Sequence, residues 1–159
     1  MSDFRQTPAA PAYWPARLPY EALAGVRTRR LTAFLFDFIA ISILGAVFFV
    51  FVGFLGFLTL GLAWLAIPAI YPLVALFYNG LSISGPKMAT PGMRAMDLEM
   101  RHMDGARVSF LTAAVHAVIF YLSWYTVVLG MINLIVSLVS SDKRCVHDMM
   151  AGVVVTRRA

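Results

Sequence analysis

Arg29-Arg30-Leu31-Thr32-Ala33-Phe34-Leu35-Phe36-Asp37 opens the first long apolar run of the chain. Arg30 and Asp37 are seven positions apart. That spacing is nearly two α-helical turns, so both side chains leave the same helix face, about 10 Å apart along the axis. Arg30 then lies at a membrane edge and Asp37 about two turns further in. A carboxylate at such depth costs about 3 kcal/mol on insertion scales. It therefore needs partners supplied by the rest of the chain.

The apolar context follows from composition. The 159 residues are 60% hydrophobic and 13% charged, with a mean hydropathy of +0.79. No charged residue stands between Asp37 and Lys87, and none between Arg107 and Asp142. Both intervals exceed the roughly 20 residues that cross a bilayer, which excludes a soluble domain and defines a multi-spanning membrane protein. The single cysteine, Cys145, excludes an intrachain disulfide and a CxxC site. The basic residues flank the apolar runs. They lack the interleaved aromatic and basic pattern of a nucleic-acid groove, so anionic lipid is the expected partner.

Residues 1–24, with Pro8, Pro11, Pro15 and Pro19, read as an extended, disordered leader, and residues 25–157 as one membrane domain. Leu31 to about Asn79 is long enough for two spans, with the break expected between Gly53 and Gly61. Pro68 and Pro72 are expected to kink the second span. Met96-Asp97-Leu98-Glu99-Met100-Arg101 alternates in the period of a half-buried strand. Asp104-Gly105 is a turn signal, Ser109 a helix cap, and Gly152-Val153-Val154-Val155-Thr156 a second strand.

Charge orients the chain. Residues 1–30 carry five basic and two acidic side chains, residues 84–108 four and three, and residues 141–159 four and two. All three polar segments are net basic, so the positive-inside rule places them, with both termini, in the cytosol. The apolar run from Val108 to Ser140 must then cross twice or dip in and return. A break is expected near Ser123-Trp124-Tyr125 or Leu129-Gly130, and a short helical hairpin is favoured over one long tilted helix. The expected fold is an all-α membrane protein of about four transmembrane helices, the last two short, with a small cytosolic β element. Trp64, Trp124 and Tyr125, like Tyr13 and Trp14, are expected at the membrane interface.

Three motifs carry a family resemblance. Arg30-Leu31-Thr32-Ala33-Phe34-Leu35-Phe36-Asp37 resembles the opening of the RDD family of bacterial membrane proteins. Ala89-Thr90-Pro91-Gly92-Met93-Arg94, followed by the alternating stretch and Asp104-Gly105, is similar to its middle motif. Asp142-Lys143-Arg144-Cys145-Val146-His147-Asp148-Met149-Met150-Ala151-Gly152-Val153-Val154-Val155 is similar to its closing motif. The resemblance covers roughly residues 25–157, and the family's naming arginine and two aspartates fall on Arg30, Asp37 and Asp148. Met93 departs from the basic residue common there, Val153 from a threonine, and His116 from an arginine. The resemblance implies the bacterial inner membrane and a role in transport, including cation/proton exchange.

Arg30, Asp37 and Asp148 are the leading cluster. One reading is structural: Asp37 pairs with Arg30 or caps backbone amides, and Asp148 caps a helix N-terminus or anchors the tail, against the alternative that Asp148 lies just inside the cytosolic face and reaches Arg30. The other is a carboxylate that couples a proton or monovalent cation beside a water-filled cavity. His116, Asn133 and His147 are secondary candidates. Met93, Met96, Met100 and Met103 around His102 suggest soft-metal ligands, but thioethers more often pack at an interface, and no metal or cofactor is assigned. Thr90-Pro91-Gly92 reads as a turn without a ligand. No nucleophile–base pair, phosphate loop or HExxH motif is present, so no enzyme is expected. The expected function is a small-solute or cation/proton transporter, acting as a homo-oligomer or with a membrane partner. The alternative is a non-transporting accessory or assembly protein in which the cluster only holds shape.

Overall fold

The computed structural model describes residue 18, residues 20–125 and residues 127–158. Most of the expected leader lies outside the described residues, as do Tyr13, Trp14 and the side chains of Trp124 and Tyr125. Residues 20–23, read as the end of that leader, instead form one helical turn, α1 (Tyr20–Leu23), with Leu23 buried. Its last carbonyl is held by Lys143, whose Nζ donates to Leu23 O at 2.6 Å. A cation at a helix C-terminus satisfies an orphan carbonyl and complements the helix dipole.

Helix α2 (Val26–Leu58) has 33 residues and is about 50 Å long. Val26, Ala33, Asp37, Ile41 and Gly45 are buried, and they recur every four to seven positions along one face. Leu35, Phe36, Phe38, Ile39, Ile43 and Val47 are exposed on the remaining surface, as a lipid-facing helix requires. The chain reverses at Thr59–Gly61, inside the expected interval. Thr59 Oγ1 donates to the Leu55 carbonyl, and Gly61 takes the left-handed conformation at φ +92°. The indole of Trp64 folds back over Gly56, where any side chain would collide with it, and donates to the Gly53 carbonyl at 3.1 Å.

The second span is not a kinked α-helix. It begins as a 3-10 helix (Leu62–Ala69) and continues as α3 (Ile70–Ser84). Pro68 cannot donate to the Trp64 carbonyl, nor Pro72 to that of Pro68, so the α-helical ladder is interrupted until the prolines are passed. Two helical stretches are long and apolar enough to cross a membrane, Tyr20–Leu58 and Leu62–Ser84.

After α3 come a short helix, α4 (Pro91–Ala95), and strand β1 (Leu98–His102). Ser109 Oγ accepts from the Thr112 amide at 3.1 Å, capping α5 (Phe110–Tyr125) as expected. Helix α6 (Val127–Val139) follows. The last apolar run is therefore broken, with its two halves, Phe110–Ser123 and Val128–Val139, bent by 117°. At 16 and 13 residues, each falls short of a 30 Å hydrocarbon core at 1.5 Å per residue. The chain closes with α7 (Val146–Met150) and strand β2 (Val153–Arg157).

The two expected strands pair antiparallel, with Leu98 opposite Arg157 and Met100 opposite Val155. Their inner faces join Val26, Ala33, Ile83, Met93 and Ala113 in one core. Met100 is thus a core residue, whereas Met103 is exposed, which separates these methionines into different environments, in line with packing. Leu98 is fully buried and Leu60 is 97% exposed. Leu98→Ala is expected to cost about 2–5 kcal/mol, read as a lowered thermal unfolding midpoint in detergent, while Leu60→Ala should leave that midpoint unchanged.

Candidate functional site: two carboxylate clasps on one helix

Asp37 is almost completely buried, and its partners come from two distant segments. Tyr78 of α3 donates its hydroxyl to Oδ1 at 2.7 Å. Thr90 donates its hydroxyl to Oδ2 at 2.5 Å, and the Gly92 amide donates to Oδ1 at 2.8 Å. Among the described residues, no hydrogen bond or ion pair joins Asp37 to Arg30. The partners are neutral donors, the arrangement by which a carboxylate is held without a counter-charge.

The motif Thr90-Pro91-Gly92 is built for this contact. Thr90 is the N-cap of α4, accepting from the Met93 amide at 3.2 Å. Pro91 at the first helical position has no amide to satisfy. The Gly92 amide is one of the orphan donors of a helix N-terminus, and it is left for Asp37. A Cβ on Gly92 would strike the Ala33 carbonyl and come within 2.8 Å of the Asp37 carboxyl carbon. The segment read from the sequence as a plain turn is therefore the receptor of the membrane carboxylate.

The second clasp lies nearer the start of α2. Arg30 Nη2 contacts Asp148 Oδ2 at 2.6 Å and Oδ1 at 2.7 Å. Asp148 is fully buried and stands at the third position of α7, where its Oδ2 also accepts from the Cys145 amide at 2.9 Å. This is the reciprocal contact of a capping box, with Cys145 as N-cap. His116 Nε2 lies 2.8 Å and His147 Nε2 3.4 Å from Asp148 Oδ1. Asn133 of α6 accepts from the Val146 amide at 2.9 Å, and its Oδ1 is 3.1 Å from His147 Nδ1. Thus His116, Asn133 and His147, three separate secondary candidates in the sequence, are gathered with Arg30 around one acid.

Burial works against an ionised Asp148, but the Arg30 guanidinium and the His116 hydrogen bond outweigh it and hold the carboxyl well below the usual range. Burial also lowers His147, to about 3. Burial pushes the Cys145 thiol up, so it stays protonated at neutral pH. Among the described residues, no buried side-chain nitrogen or oxygen lacks a hydrogen-bond partner.

Both clasps border one cavity of about 480 Å³, lined in part by Arg30, Asp37, His116, Tyr121, Asn133 and His147. Sequence reasoning missed Tyr78 and Tyr121, which lie in apolar runs without any local signal. Arg27, read from the sequence with Arg29 and Arg30 as marking a membrane edge, has a specific task as well: its guanidinium donates to the Ser137 and Leu138 carbonyls at the end of α6 at 2.6–3.0 Å.

Long apolar helices whose internal charges are clasped by distant motifs define a helical membrane protein. Within that class the chain belongs to the RDD family, whose model matches residues 24–152. No curated protein and no solved structure matches the chain.

Gly92→Ala is expected to lower the unfolding midpoint in detergent strongly, because the added methyl meets backbone. Thr90→Val should cost about 1–3 kcal/mol, by removing a donor from a buried carboxylate. Gly53→Ala, where nothing lies within 4 Å of the added carbon, should be neutral or slightly stabilising. The depressed values of His147 and Asp148 both mean that the unfolded chain binds more protons in acid. Stability in the presence of a chelator should therefore fall below the ordinary histidine value of 6.5 and fall further below the ordinary aspartate value of 3.8. His147→Gln should flatten the upper part of that decline. A midpoint independent of pH from 7 down to about 4 would contradict the assignment.

Proposed function

We propose that the chain moves a small solute, or exchanges a monovalent cation for protons, across the bacterial inner membrane, with Arg30, Asp37 and Asp148 as its polar cluster. The observation that supports this reading is the shared cavity. It brings Asp37, Arg30 and two histidines to one half-open space among apolar helices, and ionisable groups at membrane depth mark solute and proton pathways. The three net-basic segments support a cytosolic position for the sheet, both motifs and both termini. In this reading α5 and α6 form the third and fourth passages. Their shortness and the open side of the cavity favour a homo-oligomer, or a membrane partner, that completes the pathway.

A second reading has its own observation. Asp37 already accepts three hydrogen bonds, two of them from a single motif. A carboxylate so held can be purely architectural, as in an accessory or assembly protein that moves nothing.

The test is dissipation of a pH gradient in proteoliposomes on adding Na⁺, K⁺ or Li⁺, with wild type compared to Asp37→Asn. A cation-dependent signal lost in a folded variant is the outcome expected for exchange through Asp37. A signal that persists in the variant would take Asp37 out of the coupling path. No flux of cation or solute from correctly inserted wild type would leave the accessory reading standing.

A further inference from the structure

We propose that His116, His147 and Asp148 form a binding site for a divalent transition-metal ion of the zinc class. The proposal stands apart from the transport reading and holds whether or not the protein moves ions.

Asn133 fixes the tautomer of His147. The Val146 amide can only donate, so the Asn133 atom facing it is the carbonyl oxygen, which can only accept. That same oxygen lies 3.1 Å from His147 Nδ1. In the neutral ring the proton is therefore on Nδ1, and Nε2 carries a lone pair. That nitrogen lies 3.4 Å from Asp148 Oδ1, one acceptor close to another. A cation between them turns that repulsion into two bonds. A ring fixed through Nδ1–H on an amide oxygen, with Nε2 aimed at a shared point, is the orientation by which proteins prepare a histidine ligand.

The remaining geometry agrees. The candidate ligand atoms of His116, His147 and Asp148 all lie within 4.8 Å of one another, and all three residues are buried. Ligands about 2.0 Å from a tetrahedral zinc ion are about 3.3 Å apart, close to the 3.4 Å between His147 Nε2 and the carboxylate. His116 Nε2, now 2.8 Å from Oδ1, must retreat by about half an ångström and present a lone pair, so its proton moves to Nδ1. Two imidazoles and a carboxylate suit zinc or its neighbours, not the all-oxygen sites of calcium and magnesium or the thioether sites of Cu(I). Both histidines border the cavity, which leaves a fourth position for water or a solute. Arg30 reaches both carboxylate oxygens and the Cys145 amide holds Oδ2, so Oδ1, the oxygen both histidines approach, is the one that turns to the metal. The guanidinium remains close and opposes a second cation. Binding is therefore weaker than at an uncompensated carboxylate.

The experiment is titration of the purified, chelator-treated full chain in detergent with Zn²⁺ by calorimetry and with Co²⁺ by visible absorption. One ion per chain is expected, with Co²⁺ ligand-field bands and no thiolate charge-transfer band. His116→Gln and His147→Gln should each weaken binding at least tenfold. Glutamine retains a donor for Asp148, and monodisperse elution with an unchanged far-UV spectrum establishes that each variant is folded. His102→Gln, which alters the one histidine outside the cluster, should bind as wild type. Absence of saturable binding by the wild type overturns the proposal. So does retained affinity in both His116→Gln and His147→Gln, or a thiolate band, which would move the site to Cys145.

Discussion

A carboxylate two turns inside an apolar helix must be hydrogen-bonded, and the structure depends on how Asp37 meets that demand. Its donors are a phenol from α3 and a hydroxyl and an amide from the Thr90-Pro91-Gly92 corner. One side chain thereby joins two membrane helices to the segment that leaves the second of them. Two of the three donors belong to α4: Thr90 caps it, and Gly92 supplies an amide that it cannot use. Removing any one donor leaves a buried carboxyl short of a hydrogen bond, which costs stability.

The second clasp uses a different solution. Asp148 is compensated by a full positive charge, Arg30, and it stands in the short helix that leads into β2. Because Arg30 and Asp37 share a face of α2, the two clasps anchor the middle and closing motifs side by side on one helix. The antiparallel pairing of β1 with β2 follows, since each strand leaves a motif already fixed to α2. The sheet core of Val26, Leu98, Met100, Val153 and Val155 then seals the end of the bundle.

The basic residues at this end have more definite tasks than a bias in orientation. Lys143 binds the last carbonyl of α1, Arg27 the last carbonyls of α6, and Arg107 the Ser84 carbonyl that ends α3. Each satisfies acceptors that a helix leaves open at its C-terminus. The residues that make these segments net basic are thus also ones that complement helix dipoles at their C-termini.

The sequence by itself determined the class, the first reversal near Gly61, both strands, the Ser109 cap and the family, because each rests on composition, period or short motifs. It also singled out Arg30, Asp37, Asp148, His116, Asn133 and His147. Only the tertiary structure decided which of them meet. Arg30 and Asp37 are close in sequence, so pairing between them was the natural local reading, yet each turns to a partner far along the chain. Asp148 lies 118 positions from Arg30 and 32 from His116, separations at which no spacing rule operates. The same holds for Tyr78, whose place opposite Asp37 depends on how α2 and α3 pack. It holds too for the shape of the last apolar run, where length allowed a hairpin or a long helix and packing produced a sharply bent pair.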